Sequence, residues 1–197
     1  MQPEIPDRVG PQVASEPPAW TRMLGAGLIA AGILIIAVLG VDWSAWFGPR
    51  HPADVSSGIA VGQRAPDFEA ASLDGGLMSL SDLSGKVVLL NFWATWCSPC
   101  RVEMPFLQAQ HEAYPAELAI VGVNFDEPRQ LVLNFAEEFG LTFEMVLDPG
   151  GLIQDQYEIR GYPTSYFLDR EGVIRVVHIG VMSEAQLDGY LRDLGLE

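Results

Sequence analysis

The chain holds two cysteines, Cys97 and Cys100, with Ser98 and Pro99 between them. Two thiols at this spacing, where a helix begins, can close and open a disulfide, and the free N–H groups and dipole of the helix stabilise a thiolate on the first. Cys97 is therefore the expected nucleophile. Cys100, one turn in and facing the body of the domain, is the expected resolving thiol. As a zinc site the motif lacks a second cysteine or histidine pair to complete four ligands, and as a structural disulfide it closes too small a loop to stabilise much. The reading is a redox couple that uses no cofactor and no metal.

The elements that must hold this pair can be read outward from it. Lys86 to Ala94 (KVVLLNFWA) is a near-continuous apolar run, as expected of a central strand covered on both faces, and it delivers the chain directly to Cys97. Pro99 fits the first turn of a helix running to about Tyr114, with Pro105 expected to kink it. Glu117 to Phe125 is a second buried strand, Pro128 to Phe139 a helix closed by Gly140, and Phe143 to Leu147 a third strand. This order predicts parallel pairing. A short helix near Leu152 to Tyr157, an antiparallel hairpin of Thr164 to Leu168 and Val173 to Ile179, and a helix from Ser183 to Leu194 complete the domain. Before it, Pro66 to Ala71 and Gly76 to Leu80 flank the turn Asp74-Gly75-Gly76 as an N-terminal hairpin.

Composition limits the alternatives. With 197 residues there is room for one ordinary domain and an appendage. A net charge of −15, with a single lysine among 11 basic residues, leaves no basic patch for nucleic acid. Two cysteines three apart are not the framework of a disulfide-stapled miniprotein.

Residues Met23 to Val41 carry no charge, and at 1.5 Å per residue they span about a bilayer's hydrocarbon core. Trp20, Trp43 and Trp46 flank them as interfacial aromatics, and Arg22 before the span favours a cytoplasmic N-terminus. A cleaved signal peptide is the competing reading. The length of the run and the absence of a clean small-x-small cleavage site favour an uncleaved anchor. Residues 1–22 read as a disordered cytoplasmic tail, 23–41 as a transmembrane helix, 42–60 as a linker and 61–197 as the redox domain. The expected location is the cell membrane, single-pass, with that domain extracytoplasmic.

Phe92 to Cys100 (FWATWCSPC) together with Gly161-Tyr162-Pro163-Thr164 resembles the thioredoxin superfamily. Ala65-Pro66-Asp67-Phe68 with Leu80 to Lys86 (LSDLSGK) is similar to its membrane-anchored TlpA/ResA-like branch. The resemblance covers residues 60 to 197. It implies an α/β thioredoxin fold with an N-terminal β-hairpin and a central insertion, and a cis bond before Pro163. Such a bond would offer the Tyr162 backbone to an incoming cysteine-containing segment, a strand-addition mode of recognition. Trp96, beside Cys97, is expected to shield the disulfide and meet partners, with a core-packing role as the alternative.

Thioredoxins carry a buried aspartate on the strand before the motif, whereas this chain has Asn91, which cannot accept a proton. Another base must assist Cys100. Glu103 lies three residues beyond it on the same helical face. The resemblance implies an acid-base or recognition role for this glutamate, and a carboxylate in apolar surroundings has the raised pKa such a role needs. The competing reading is an exposed acid favoured by the helix dipole.

Strong oxidants of this fold place a histidine between the cysteines, while Ser98-Pro99 brings no charge, so a low potential and a reductase are expected. The resemblance implies protein disulfide substrates, in apocytochrome c CxxCH segments or copper-site cysteines, and a membrane thiol-disulfide transporter as electron donor. A peroxiredoxin needs a threonine three residues before its cysteine, where this chain has Ala94. A copper metallochaperone of the same fold needs a CxxxC and a placed histidine, whereas here the spacing is shorter and His178 lies on a strand. None of His51, His111 and His178 is assigned a role.

Overall fold

The computed structural model describes residues 55–196. The tail and the apolar run Met23 to Val41 lie outside them; among the described residues no helix is long and apolar enough to cross a membrane.

Seven strands form one mixed sheet: β1 (Glu69–Ser72), β2 (Leu77–Ser79), β3 (Val87–Trp93), β4 (Leu118–Phe125), β5 (Glu144–Asp148), β6 (Thr164–Leu168) and β7 (Ile174–Ile179). Their spatial order is β2-β1-β5-β4-β3-β6-β7. β3 pairs parallel with β4, and β4 with β5, as expected from the helical crossovers between them. β6 runs antiparallel to β3 and to β7. The N-terminal hairpin turns at Gly75, whose φ of +103° is one that glycine tolerates and other residues avoid.

Among the described residues the α-helices are α1 (Ser98–Ala113), α2 (Arg129–Phe139), α3 (Leu152–Gln156) and α4 (Glu184–Asp193). Helix α1 continues through Pro105 to Ala113 as one element. Gly140 closes α2 in the left-handed conformation, and Ser183 caps α4 through a reciprocal box with Gln186.

Every residue of β3 is buried, which accounts for its near-continuous apolar sequence, interrupted by Asn91 alone. Its alternate side chains feed two cores. Leu89 and Trp93 pack with Met104, Phe135 and Leu187 beneath α1, α2 and α4. Leu90 and Phe92 pack on the opposite face with Ile153, Tyr157 and Tyr166. Residues 56–58 reach the sheet edge, where Arg64 N–H donates to Ser56 C=O (3.0 Å) and Gly62 N–H to Ile174 C=O (2.8 Å).

Candidate active site

β3 ends at Trp93, Ala94 leads into the loop Thr95-Trp96, and Cys97 then caps α1. The two sulfurs are bonded at 2.03 Å with Cα atoms 5.3 Å apart. Cys100 N–H donates to Cys97 Sγ at 3.2 Å, so the sulfur at the cap receives a backbone donor that would equally serve its thiolate. Cys97 is 4% exposed and Cys100 not at all, so of the two only Cys97 meets solvent. Pro99 sits in the first turn, where its missing N–H leaves no carbonyl unpaired.

Glu103 is 1% exposed. It is not the solvated first-turn acid of the competing reading. Its Oε1 accepts from Asn91 Nδ2 at 2.7 Å, and its Oε2 from Met182 N–H at 3.1 Å. Burial pushes its pKa from 4.5 up to about 7, although both hydrogen bonds pull it down. Asn91 Nδ2 also donates to Ser165 Oγ at 3.0 Å, and the two residues are cross-strand partners in the β3–β6 ladder. Among the described residues Asn91 Oδ1 has no donor. Turned over, the same amide would present Oδ1 to a protonated Glu103, so it can serve either charge state. The carboxyl that Asn91 itself cannot supply thus stands, buried, on α1 instead of β3.

A second carboxylate holds the approach to the cysteines. Glu127, just beyond β4, accepts from Thr95 N–H (2.7 Å), Thr95 Oγ1 (2.6 Å) and Asn124 Nδ2 (2.8 Å). Sequence reasoning missed it. A signal was present: β3 and β4 run parallel, so the loops leaving their C-terminal ends must lie side by side, and an acid there is poised to cap the neighbouring loop. The Thr95 hydroxyl is turned to Glu127, and Ala94 is buried at the place where a peroxidase needs its threonine.

On the other side of the disulfide, the Tyr162–Pro163 bond is cis. Tyr162's own N–H and C=O have no partner among the described residues, while Pro163 C=O accepts from Gly180 N–H at 2.8 Å. Trp96 is 62% exposed, and its ring meets that of Tyr162 edge-on at 5.5 Å, which removes the core-packing alternative. Burial, with Asp148 second, raises the Tyr162 pKa, so its phenol stays protonated at neutral pH. The structure therefore gathers Cys97, Cys100 and Glu103 along α1, with Trp96, Tyr162 and Pro163 in the flanking loops.

His178 lies on β7 with its Nδ1 3.1 Å from the Tyr190 hydroxyl, as a satisfied structural histidine would. Among the described residues, no group of three or more His, Cys, Asp or Glu side chains is placed to hold a metal ion.

Residues 61–177 match the AhpC/TSA family. The chain is 42% identical over 161 residues to the thioredoxin-like protein YneN of Bacillus subtilis, covering 80% of this chain and 93% of that one. It is 36% identical over 163 residues to the thiol-disulfide oxidoreductase ResA of Geobacillus thermodenitrificans, covering 82% and 91%. Among solved structures it superposes on a putative thiol:disulfide interchange protein DsbE from Chlorobium tepidum with a TM-score of 0.65 and 32% identity, covering 69% and 98%. StoA from Bacillus subtilis gives a TM-score of 0.57 at 32% identity, covering 64% and 96%.

Proposed function

The chain belongs to the AhpC/TSA family, in its branch of ResA-like thiol-disulfide oxidoreductases with the thioredoxin fold, and from that membership we propose that it reduces protein disulfides outside the cytoplasm. The observation that carries the mechanism is the Cys97 sulfur at a helix cap, with Cys100 and a wholly buried Glu103 behind it on the same helix.

In the reduced protein, the Cys97 thiolate attacks one sulfur of a substrate disulfide. A mixed disulfide forms, and the other substrate sulfur leaves as a thiolate that takes a proton from water. Glu103 then accepts the proton of Cys100. The Cys100 thiolate attacks Cys97 Sγ, the second substrate sulfur departs, and the Cys97–Cys100 disulfide closes with two electrons passed to the substrate. A pKa of about 7 suits the glutamate to take and return this proton near neutrality.

The reducing direction is supported by the charges around the couple. Ser98 and Pro99 bring none, and the acid in the adjoining loop, Glu127, accepts from Thr95, two residues before Cys97, so it adds no positive charge to the surroundings of the thiolate. A couple whose thiolate is stabilised by the helix cap alone, with no positive charge between the cysteines, gives up its electrons more readily than one that has such a charge.

For the partners, the reading rests on the family: apocytochrome c CxxCH segments or the cysteines of a copper site as substrates, and a membrane thiol-disulfide transporter as electron donor. The apolar stretch Met23 to Val41 serves as the tether, keeping the domain near both and raising its effective concentration. The Tyr162 backbone, unpaired among the described residues, offers the incoming segment a strand edge.

Trapping tests this directly. With Cys100→Ser the first attack still occurs and the second cannot, so extracts of the native membrane should yield Cys97-linked adducts with CxxCH or copper-site proteins. Cys97→Ser should yield none, and adducts of equal abundance in both variants would contradict the proposal.

A further inference from the structure

We propose that Gln154 is a positioning residue for substrate recognition, holding the Tyr162 side chain in place beside the disulfide from the short helix α3. The proposal rests on the reading that an incoming cysteine segment lies along Tyr162.

Tyr162 stands between two rings, edge-on to Trp96 at 5.5 Å and tilted against Phe125 at 5.9 Å. Its backbone makes no hydrogen bond among the described residues, so its position depends on what its side chain touches. The phenol donates to Gln154 Oε1. Gln154, in turn, is pinned at its backbone. The buried Asp148 carboxylate accepts from the N–H groups of Ile153 and Gln154, each at 3.0 Å, and Gln154 C=O accepts from Ile159 N–H at 2.9 Å. Phe125 is seated against the same segment: a Cβ on Gly151 would come within 2.8 Å of its ring.

The chemistry of Gln154 argues against a packing role. The residue is 3% exposed, and its Nε2 is buried without a partner among the described residues. An unpaired buried amide N–H costs stability that a leucine of similar size would not. The one thing glutamine supplies here is an acceptor for the Tyr162 hydroxyl. With that hydroxyl turned inward, the tyrosine is fixed as a wall of the recognition site.

The test uses the full-length protein in detergent micelles with two probes: an oxidised peptide containing Cys-Ala-Ala-Cys-His, and hydroxyethyl disulfide, which is too small to lie along Tyr162. Gln154→Leu and Tyr162→Phe should each slow exchange with the peptide about three- to tenfold, through KM and not kcat, as loss of one positioning hydrogen bond implies. The double variant should be no slower than Gln154→Leu alone, because both remove the same bond. Gln154→Leu should keep the wild-type rate with hydroxyethyl disulfide and melt no lower than wild type. Either direction of exchange crosses the same mixed disulfide, so the factor is readable even if the protein proves to be an oxidant. A wild-type peptide rate in Gln154→Leu, an equal loss with both probes, or additive losses in the double variant would each overturn the proposal.

Discussion

Asn91 Nδ2 lies 2.7 Å from Glu103 Oε1, joining the central strand to the cysteine helix through a carboxylate that solvent does not reach. The bond carries a neutral amide where a thioredoxin strand carries an acid, and it gives the buried glutamate a partner whose orientation can follow its protonation. One contact thus anchors α1 to β3 and sets the surroundings of the buried carboxyl.

Glu103→Gln keeps the size of the side chain and removes the base. The rate of the resolving step in wild type should rise through an inflection near pH 7, the value to which burial pushes this carboxyl. In the variant that inflection should vanish, and the step at pH 8 should slow on the order of a hundredfold, the lower end for general base catalysis. Rapid-mixing kinetics of mixed-disulfide resolution checks this.

The same carboxyl links stability to pH. Its folded pKa of about 7 exceeds its ordinary value of 4.5, so the folded state binds the proton more tightly. The stabilisation is fully present below about pH 4.5 and is lost as pH rises through about 7, amounting to about 3 kcal/mol. Urea unfolding of the oxidised protein should show this loss, superimposed on other titrations. Glu103→Gln should lack it, so the difference between the two proteins should change by that amount from pH 4.5 to pH 8.

How much of this was legible in the sequence depended on how local its cause is. The run from Val87 to Trp93 betrays a strand buried on both faces, and Cys97 and Pro99 mark the first turn of α1, so the strand, helix and redox pair could be read directly. The spacing put Glu103 on the cysteine face. Its burial could not be read, because it depends on Met182, 79 residues further on. Glu127 looks like any acid in a turn until the parallel pairing of β3 and β4 brings it to Thr95. Gln154 reads as an ordinary polar helix residue, and only the fold sets it against Tyr162.

Glu127→Ala removes the acceptor of three hydrogen bonds, two of them from Thr95. The expected cost is about 1–3 kcal/mol by denaturant unfolding, since partly buried donors are left unpaired. Losing a negative charge near Cys97 should also favour its thiolate, moving the couple by about 15–30 mV in the oxidising direction. An unchanged potential would show that Glu127 acts through loop geometry alone.

Gly122→Ala tests the core beneath the site. A Cβ there would lie 2.9 Å from Trp93 Nε1 and 3.3 Å from Phe143. Both side chains are buried, so overpacking should destabilise the domain by about 1–3 kcal/mol. Thermal or urea unfolding reads the change.

Whether the Cys97–Cys100 couple gives electrons to protein disulfides is decided by its equilibrium potential. Equilibrating the full-length protein against glutathione and dithiothreitol buffers should place it well below the glutathione pool, nearer the roughly −270 mV of thioredoxin. A value near the roughly −120 mV of a strong disulfide oxidant would make the protein an oxidant and not a reductase.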